Sequence, residues 1–143
     1  MKKIYTAGKM NGLSYEQQIT WRMRFQTELQ NRSDHPITFV HPPMYYNYGA
    51  TRHKTEREVM EWELNQIRTC DIVVVNLDEV NSTTGTHIEL GFVDAMNMIA
   101  NKHIYVIGIG SSKGVHPWIE CSILRIEPTI ETACDYIAEY LLI

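Results

Sequence analysis

The sequence predicts a doubly wound α/β fold, a three-layer sandwich in which helices cover both faces of a five-stranded parallel sheet. The first observation is a set of short apolar runs that are rich in β-branched residues and hardly alternate with polar ones. Such runs are typical of strands that are buried on both faces. The second observation is that segments with helical periodicity separate these runs. Strands that alternate with helices along a chain favour a parallel sheet.

Five segments have the character of strands. The strongest are residues 4–7, 72–75 and 104–107, and the second of these, Ile72-Val73-Val74-Val75, is β-branched throughout. Residues 37–40 and 122–126 are weaker candidates. Together they predict the five strands of a flavodoxin-like sheet.

Four helices are predicted between and after these strands. A Ser or Thr followed three residues later by Glu or Gln, the spacing of a capping box, stands before segments 15–30 and 56–68 and again at the start of a helix that reaches about Ala100. The last helix follows Pro128 and runs to Leu142 with apolar residues on one side.

Composition excludes several classes of protein. The chain has 143 residues, so we expect one domain over residues 1–143. The formal net charge is −4 and no Lys/Arg-rich run stands out, so we expect no nucleic-acid polymer as a partner. No apolar stretch has the length of a signal peptide or a membrane span, and neither the three cysteines nor the six histidines have metal-ligand spacing. We therefore expect a cytoplasmic protein that binds no membrane, metal or other cofactor.

Two loops that follow strands are longer than packing needs, residues 41–52 and 77–84. Both are expected at the carboxyl edge of the sheet, where open α/β sheets bind ligands. The first loop contains Tyr45-Tyr46-Asn47-Tyr48. Tyr45 and its neighbours could stack on the flat ring of a ligand, or they could pack on one another as a surface loop.

The most informative residue is Glu89, a carboxylate just inside the predicted helix that opens with Gly85-Thr86 and reaches about Ala100. In the first turn of a helix, a carboxylate is favoured by the positive end of the macrodipole by about 0.3–1 kcal/mol. An ionised carboxylate at the ligand edge could act as a nucleophile or stabilise a developing cation. Glu89 could equally complete a capping box with Thr86.

A second carboxylate and a glycine loop accompany Glu89. Glu63 shares a predicted helix face with Val59 and Ile67, where an acid needs a partner unless its tip reaches water. The loop Gly8-Lys9-Met10-Asn11-Gly12 follows the first strand, and its glycines would let backbone amides approach a phosphate. It matches neither the dinucleotide fingerprint nor the P-loop, so a plain strand-to-helix turn is the alternative.

Three segments together resemble one known family. They are Ile4-Tyr5-Thr6-Ala7-Gly8 with Met10 and Gly12, then Glu63-Leu64-Asn65-Gln66-Ile67 running into residues 70–75, and finally Gly85-Thr86-His87-Ile88-Glu89-Leu90-Gly91. In order and spacing they are similar to the nucleoside 2-deoxyribosyltransferase family, which includes related 2′-deoxynucleoside 5′-monophosphate N-glycosidases. The resemblance spans most of the chain, and the third segment is its most specific part.

The resemblance implies roles for individual residues. Glu89 matches the family nucleophile, which attacks the anomeric carbon and forms a glycosyl-enzyme intermediate, and Tyr5 matches the tyrosine that orients it. Glu63 stands where the family usually has an aspartate that serves the leaving base. Gly85 and Thr86 are expected to contact the substrate.

The resemblance also implies an assembly. Segment 118–124, which begins at Trp118 and ends at Leu124, resembles the stretch that a neighbouring subunit lends to the site, with Ser122 as the expected contributor. We therefore expect a homodimer or a larger homo-oligomer. Asn76 and Asp78, just past the third strand, could bind sugar hydroxyls or could cap their own loop.

Two departures from the family pattern leave the substrate open. Glu63 is one methylene longer than the expected aspartate, and Thr83 stands where deoxyribosyltransferases carry an aspartate six residues before the nucleophile. The Gly8–Gly12 loop resembles the one that holds a 5′-phosphate in the nucleotide hydrolases. The expected substrate is a nucleoside or nucleotide. The resemblance implies an N-glycosidic-bond enzyme of the deoxyribosyltransferase type that cleaves the base–sugar bond. The alternatives are a hydrolase without transferase activity, acting on nucleotides or NAD-like dinucleotides, and a nucleotide-binding module that has lost catalysis.

Overall fold

The computed structural model describes residues 1–47 and 53–143. The strands, in chain order, are β1 Lys2–Ala7, β2 Ile37–Val40, β3 Ile72–Asn76, β4 Tyr105–Ile109 and β5 Arg125–Glu127. The α-helices are α1 Tyr15–Gln30, α2 Pro42–Asn47, α3 Glu56–Arg68, α4 Thr84–Ile99, α5 Pro117–Cys121 and α6 Ile130–Tyr136. A 3₁₀ turn, Val80–Ser82, precedes α4, and a π-helical turn, Ile137–Leu141, follows α6.

The sheet has the order β2-β1-β3-β4-β5, and every neighbouring pair is parallel. This is the flavodoxin-like strand order, so the doubly wound fold predicted from the sequence is confirmed. β1 lies in the interior between β2 and β3, with Tyr5 paired to Val40 on one side and Val73 on the other. The connections leave β1 and β3 toward opposite edges of the sheet, which opens a crevice at their carboxyl ends.

The core lies on both faces of the sheet because successive strand residues point in opposite directions. On one face, Val73 and Val75 pack in a cluster with Tyr5 and with α3 and α4 residues such as Ile67 and Leu90. On the other face, the cluster consists of side chains from the sheet, α1, α6 and the C-terminal turn, including Ile4, Ile72, Val74, Phe25, Leu29 and Ile137. The run 72–75 was expected to be buried on both faces, and all four residues are at most 1% exposed.

Two helix starts follow their capping signals. Ser14 with Gln17 at α1, and Thr55 with Glu58 at α3, form complete capping boxes, and both helices have the predicted bounds. The third predicted capping box, Thr86 with Glu89 at the start of α4, is wrong. α4 begins at Thr84 after an N-cap residue, Thr83, whose side chain makes no capping hydrogen bond. The 3₁₀ turn just before it, in which the Thr83 amide donates to the Val80 carbonyl, leads the chain into the helix earlier than the Thr86–Glu89 spacing suggested.

Two further expectations need correction. The predicted strand 122–126 begins only at Arg125. Helix α5, with Pro117 in its first turn and the His116 ring accepting from the Trp118 amide, ends at Cys121, and the Ser122 and Ile123 amides still donate to carbonyl groups of this helix. Part of the predicted loop 41–52 is the short helix α2. The side chains of Tyr46 and Asn47, and all of residues 48–52, lie outside what the structure describes.

Of the helices in residues 1–47 and 53–143, none is both long enough and apolar enough to cross a membrane.

Candidate active site

A cleft of about 540 Å³ opens where the carboxyl ends of β1 and β3 lie side by side. In doubly wound sheets this is the usual ligand site, and the volume suits a small molecule. The loop after β1 and residues 82–86 form two of its walls, while Tyr5, Arg22, Glu63 and Glu89 project into it from β1, α1, α3 and α4. The cleft therefore gathers side chains that are distant in the sequence.

Tyr5 and Glu89 form a buried pair. The Tyr5 hydroxyl donates a hydrogen bond to Oε2 of Glu89. Tyr5 is fully buried at the centre of the sheet, and Glu89 is 8% exposed. Because the phenol is fixed by the packing of β1, the hydrogen bond restricts the orientation of the carboxyl group at the cleft. The residue types and contact suit an oriented nucleophile.

Glu89 lies in the second turn of α4, since the helix begins at Thr84. The capping box that the sequence left open is therefore absent, and the helix macrodipole, which acts mainly within the first turn, is not the main influence on this carboxyl group. Burial raises the pKa of Glu89 to about 8, and the nearby charge of Glu63 adds to this rise, while the hydrogen bond from Tyr5 and the charge of Arg22 oppose it. The sequence led us to expect an ionised Glu89. With this raised pKa, the Glu89 carboxyl group is instead mostly protonated in the free protein at neutral pH.

Glu63 projects from α3 and is half-buried. It borders the same cleft as Glu89, and both also border a groove between α3 and α4 that is lined by Val59, Met60 and Ile88. Its effect on the pKa of Glu89 indicates that the two carboxyl groups share one electrostatic environment. Two carboxyl groups with different surroundings in one cleft are the pattern of acid–base pairs in glycosidases.

Four residues of the glycine loop, Gly8, Lys9, Met10 and Asn11, line the cleft. Gly12 does not belong to the lining, and its φ of +81° marks the turn into α1. Lys9 Nζ lies 3.0 Å from Glu79 Oε2, so Lys9 forms an ion pair with Glu79 in the loop after β3. A phosphate contact by Lys9 would compete with that ion pair.

The other wall of the cleft carries hydroxyl groups. Ser82, Thr83, Thr84 and Thr86 line it together with Gly85. Thr86 is 1% exposed, and its Oγ1 has no hydrogen-bond partner among the described residues. A buried hydroxyl without a partner costs free energy, so Thr86 is suited to hydrogen-bond a ligand in the cleft.

Besides Gly12, four candidates from the sequence lie outside the lining of this cleft, namely Tyr45, Asn76, Asp78 and Ser122. Asn76 Oδ1 accepts a hydrogen bond from the Asp78 amide at 2.9 Å, which is the loop-capping alternative. Tyr45 stacks on Trp62 with ring centroids 4.1 Å apart, which corresponds to the packing alternative. Ser122 Oγ donates to Asp94 Oδ2 at 2.6 Å and lines a separate groove. Within one copy of the chain, therefore, these residues do not meet Glu89.

Sequence reasoning missed Arg22. It is fully buried, lines the cleft, and lies on the same face of α1 as Phe25 and Leu29. The available signal was an arginine at i with apolar residues at i+3 and i+7, which places a charge in a buried stripe. Segment 15–30 was interpreted only as a helix that follows a capping box, so this signal was not used.

No group of three or more His, Cys, Asp or Glu side chains within residues 1–47 and 53–143 is arranged to hold a metal ion.

Several solved structures have the same fold as this chain. A conserved protein from Enterococcus faecalis V583 has a TM-score of 0.76 at 13% identity, covering 99% of this chain and 99% of that one. The CMP N-glycosidase BcmB from Clostridium botulinum has a TM-score of 0.61 at 16% identity, covering 98% and 100% of the two chains. A 2-desoxiribosyltransferase from Leishmania mexicana has a TM-score of 0.54 at 15% identity, covering 99% and 100%. At these identities the likeness shows the fold.

No curated protein sequence matches this chain. The family model described as nucleoside 2-deoxyribosyltransferase like matches residues 1–108, which include β1, α3 and α4 and therefore Tyr5, Glu63 and Glu89. The match covers more than half of the chain. The chain belongs to the family of nucleoside 2-deoxyribosyltransferase-like proteins.

Proposed function

We propose that the protein cleaves the N-glycosidic bond of a deoxynucleoside, or of its 5′-monophosphate, through a glycosyl-enzyme intermediate on Glu89. The observation that carries the proposal is the buried Tyr5–Glu89 hydrogen bond in a cleft that Glu63 also borders. Family membership supports chemistry of the deoxyribosyltransferase or N-glycosidase type. The assignment of roles to the three residues is part of the proposal.

The proposed reaction has two displacement steps. In the first, a carboxylate oxygen of Glu89 attacks C1′ of the sugar, the C1′–N bond breaks, and its electron pair passes to the base nitrogen. Glu63, when protonated, supplies the proton that the departing base takes up. In the second step, a water or the nitrogen of another base attacks C1′, its proton passes to Glu63, and the Glu89 carboxylate is released.

The hydroxyl-rich wall supports the 5′-monophosphate form of the substrate. Ser82, Thr83 and Thr84 stand at the N-terminal end of α4, a helix of 16 residues, on the lining of the cleft. Backbone amides at a helix N-terminus and adjacent hydroxyls suit a phosphate. Thr83 in place of the family aspartate removes a negative charge that would repel it. A comparison of kcat/KM for deoxynucleosides and for their 5′-monophosphates tests this, and a preference for the unphosphorylated form would contradict it.

Transferase and hydrolase activity are separated by product analysis. The purified protein is incubated with each deoxynucleoside or deoxynucleotide, with and without an acceptor base, and the products are separated by chromatography. Base exchange identifies a transferase, whereas free deoxyribose or its phosphate as the sole sugar product identifies a hydrolase. Glu89→Ala is expected to abolish both, and Glu139→Gln, at an exposed position, serves as the control. Turnover that survives Glu89→Ala would contradict the proposed nucleophile.

A binding module without catalysis is the second candidate, and Thr83 and Glu63 are the features that favour it. Calorimetry that shows nucleotide binding while no product forms over long incubation would support this alternative and overturn the enzyme proposal.

We further propose that the protein acts in the cytoplasm on small molecules.

We also propose a homodimer or a larger homo-oligomer with segment 118–124 at the subunit contact. Trp118 is 82% exposed and lines an apolar groove of about 710 Å³ together with Leu90 and Ile119. An exposed tryptophan on an apolar groove is characteristic of an interface. Sedimentation of the wild type and of Trp118→Ser tests the proposal, with a dimer and a weakened dimer as the expected results. A wild type that is monomeric at micromolar concentration would contradict it.

A further inference from the structure

Arg22 is the most unusual charged residue of the cleft. It is fully buried, one turn before Phe25 on the apolar face of α1. A cation removed from water costs free energy unless other groups compensate it, so a buried arginine needs a reason.

Neutral groups hold the guanidinium of Arg22 in place. Nε donates to the Thr6 hydroxyl at 3.1 Å, Nη1 to the Gln18 carbonyl at 2.5 Å, and Nη2 to the Gly8 carbonyl at 3.4 Å. Its Cζ also lies 4.6 Å from the centre of the Trp21 ring. These contacts fix the position of the charge without neutralising it. In the described part of the chain, Arg22 takes part in none of the ion pairs within 4.0 Å.

The charge of Arg22 acts on the acidic groups of the cleft instead. Burial lowers the pKa of Arg22 to about 10, and Tyr5, Glu89 and Glu63, in this order of strength, oppose the fall by favouring its protonated form. Arg22 therefore remains a cation at neutral pH. The attraction is mutual, and Arg22 is one of two groups that lower the pKa of Glu89.

The geometry explains why this arrangement differs from a salt bridge. Thr6 and Tyr5 are consecutive in β1 and point to opposite faces of the sheet, so Arg22 reaches the cleft from the α1 side and Glu89 from the α4 side. The cation lies beyond ion-pair distance, but Arg22 and Glu89 are both buried, so solvent screens their interaction only weakly. It can therefore stabilise a carboxylate without capturing it in a contact that would block attack.

We propose that Arg22 is a positioning residue whose fixed, buried charge stabilises Glu89 in the ionised form that attacks the sugar. The catalytic consequence rests on the proposed function, but the electrostatic claim does not. The groups that face Glu89 are Tyr5 from β1, Arg22 from α1 and Glu63 from α3. Lys9 lines the same cleft but is paired with Glu79. On the far side of Arg22, His41 contacts the Thr6 hydroxyl at 2.8 Å, and burial lowers the pKa of His41 to about 4, so it adds no charge at neutral pH.

The test measures the pKa of Glu89 directly, without substrate. Protein labelled with ¹³C at the glutamate carboxyl carbon is titrated by NMR, and the Glu89 signal is assigned by its loss in Glu89→Gln. Arg22→Met is expected to raise the pKa of Glu89 by about 1 or more, which means at least about tenfold less carboxylate near neutral pH. Arg22→Lys keeps a charge and is expected to give a clearly smaller rise. Glu63→Gln is the positive control and is expected to lower the same pKa.

A folded Arg22→Met variant with an unchanged Glu89 pKa would overturn the proposal. An arginine that only contributes hydrogen bonds and packing would change the stability of the protein and leave this pKa as it is. Should Arg22→Met not fold, as judged by circular dichroism, Thr6→Val decides. It removes the Nε acceptor at similar volume and is expected to raise the pKa of Glu89 measurably, and no change would overturn the proposal. The titration gives its answer whether or not the protein turns over any nucleoside. A failed activity assay and a failed inference are therefore distinguishable.

Discussion

At the scale of single residues, the ionisation of Glu89 is set by opposing influences. Burial and Glu63 favour the acid, and the Tyr5 hydrogen bond and Arg22 favour the carboxylate, with a pKa of about 8 as the result. A nucleophile must be ionised, so the proposed attack is expected to become faster as the pH rises through this value. The two favourable groups are therefore the places where substitution changes the pH dependence as well as the rate.

Tyr5→Phe tests one of these groups. Losing the hydrogen bond is expected to raise the pKa of Glu89 further and to move the acidic limb of kcat/KM to higher pH. At pH 7 the variant should lose about tenfold in kcat/KM or more, and the loss should shrink above the wild-type pKa. The measurement is a pH profile of kcat/KM for both proteins. Equal loss at every pH would indicate that the phenol contributes packing alone.

Glu89→Gln tests the effect of burying Glu89 by way of the free energy of unfolding. The unfolded carboxyl group ionises near 4.5 and the folded one near 8, so the folded protein binds the extra proton between these values and stability falls as the pH rises through them. Gln does not titrate. The variant is therefore expected to gain about 2–4 kcal/mol over the wild type at pH 9 and little at pH 5. Urea unfolding at both pH values, with Glu139→Gln as the exposed control, provides the comparison. A pH-independent difference would contradict the raised pKa of the buried Glu89 carboxyl group.

At the scale of elements, the backbone of the connection from β1 to α1 passes very close to side chains of α1 and β3 at Gly8. A Cβ added to Gly8 would lie 3.2 Å from Cζ2 of Trp21 and 3.3 Å from Cβ of Asn76. The glycine therefore allows α1 to bring Trp21, and with it Arg22, against the end of the sheet. From the sequence, Gly8 was a candidate for phosphate binding or for a plain strand-to-helix turn, and the structure shows that it has a packing reason.

Gly8→Ala is expected to destabilise the protein by about 1–2 kcal/mol because the Trp21 ring must move. Gly91→Ala is the matched control, since a Cβ there meets nothing within 4 Å and Gly91 lies inside α4. That substitution is expected to stabilise by about 0.5–1 kcal/mol. Thermal unfolding of both variants measures the two effects. A Gly8→Ala variant as stable as the wild type would show that Trp21 adapts without cost.

Which elements could be predicted depended on where their signals lie. The β-branched run in β3 and the capping boxes of α1 and α3 are local, and these elements appeared where expected. The start of α4 was misplaced because a 3₁₀ turn continues into the helix, and a Thr–Glu spacing within a helix looks the same as a capping box. The residues before β5 were assigned to a strand although Pro117, a common first-turn residue of helices, stood before them.

At the scale of the whole molecule, the strand order brings the site together. β1 and β3 are neighbours although α1, β2, α2 and α3 separate them in the chain, so Tyr5 meets Glu89 across 84 positions of sequence. The resemblance to a family indicated Tyr5, Glu63 and Glu89 in advance. Arg22 could not be found that way, because its role depends on tertiary burial and on groups from other elements. That residues 1–143 form one domain stays a prediction.

Trapping the sugar on the protein tests the nucleophilic role of Glu89 most directly. The enzyme is mixed with a deoxynucleoside or its 5′-monophosphate, quenched in acid within milliseconds to seconds, and digested for mass spectrometry. If Glu89 is the nucleophile, a peptide containing Glu89 gains the mass of one deoxyribosyl or phosphodeoxyribosyl group, and no such adduct forms in Glu89→Gln. Sugar attached to another residue, or full turnover by Glu89→Gln, would contradict it.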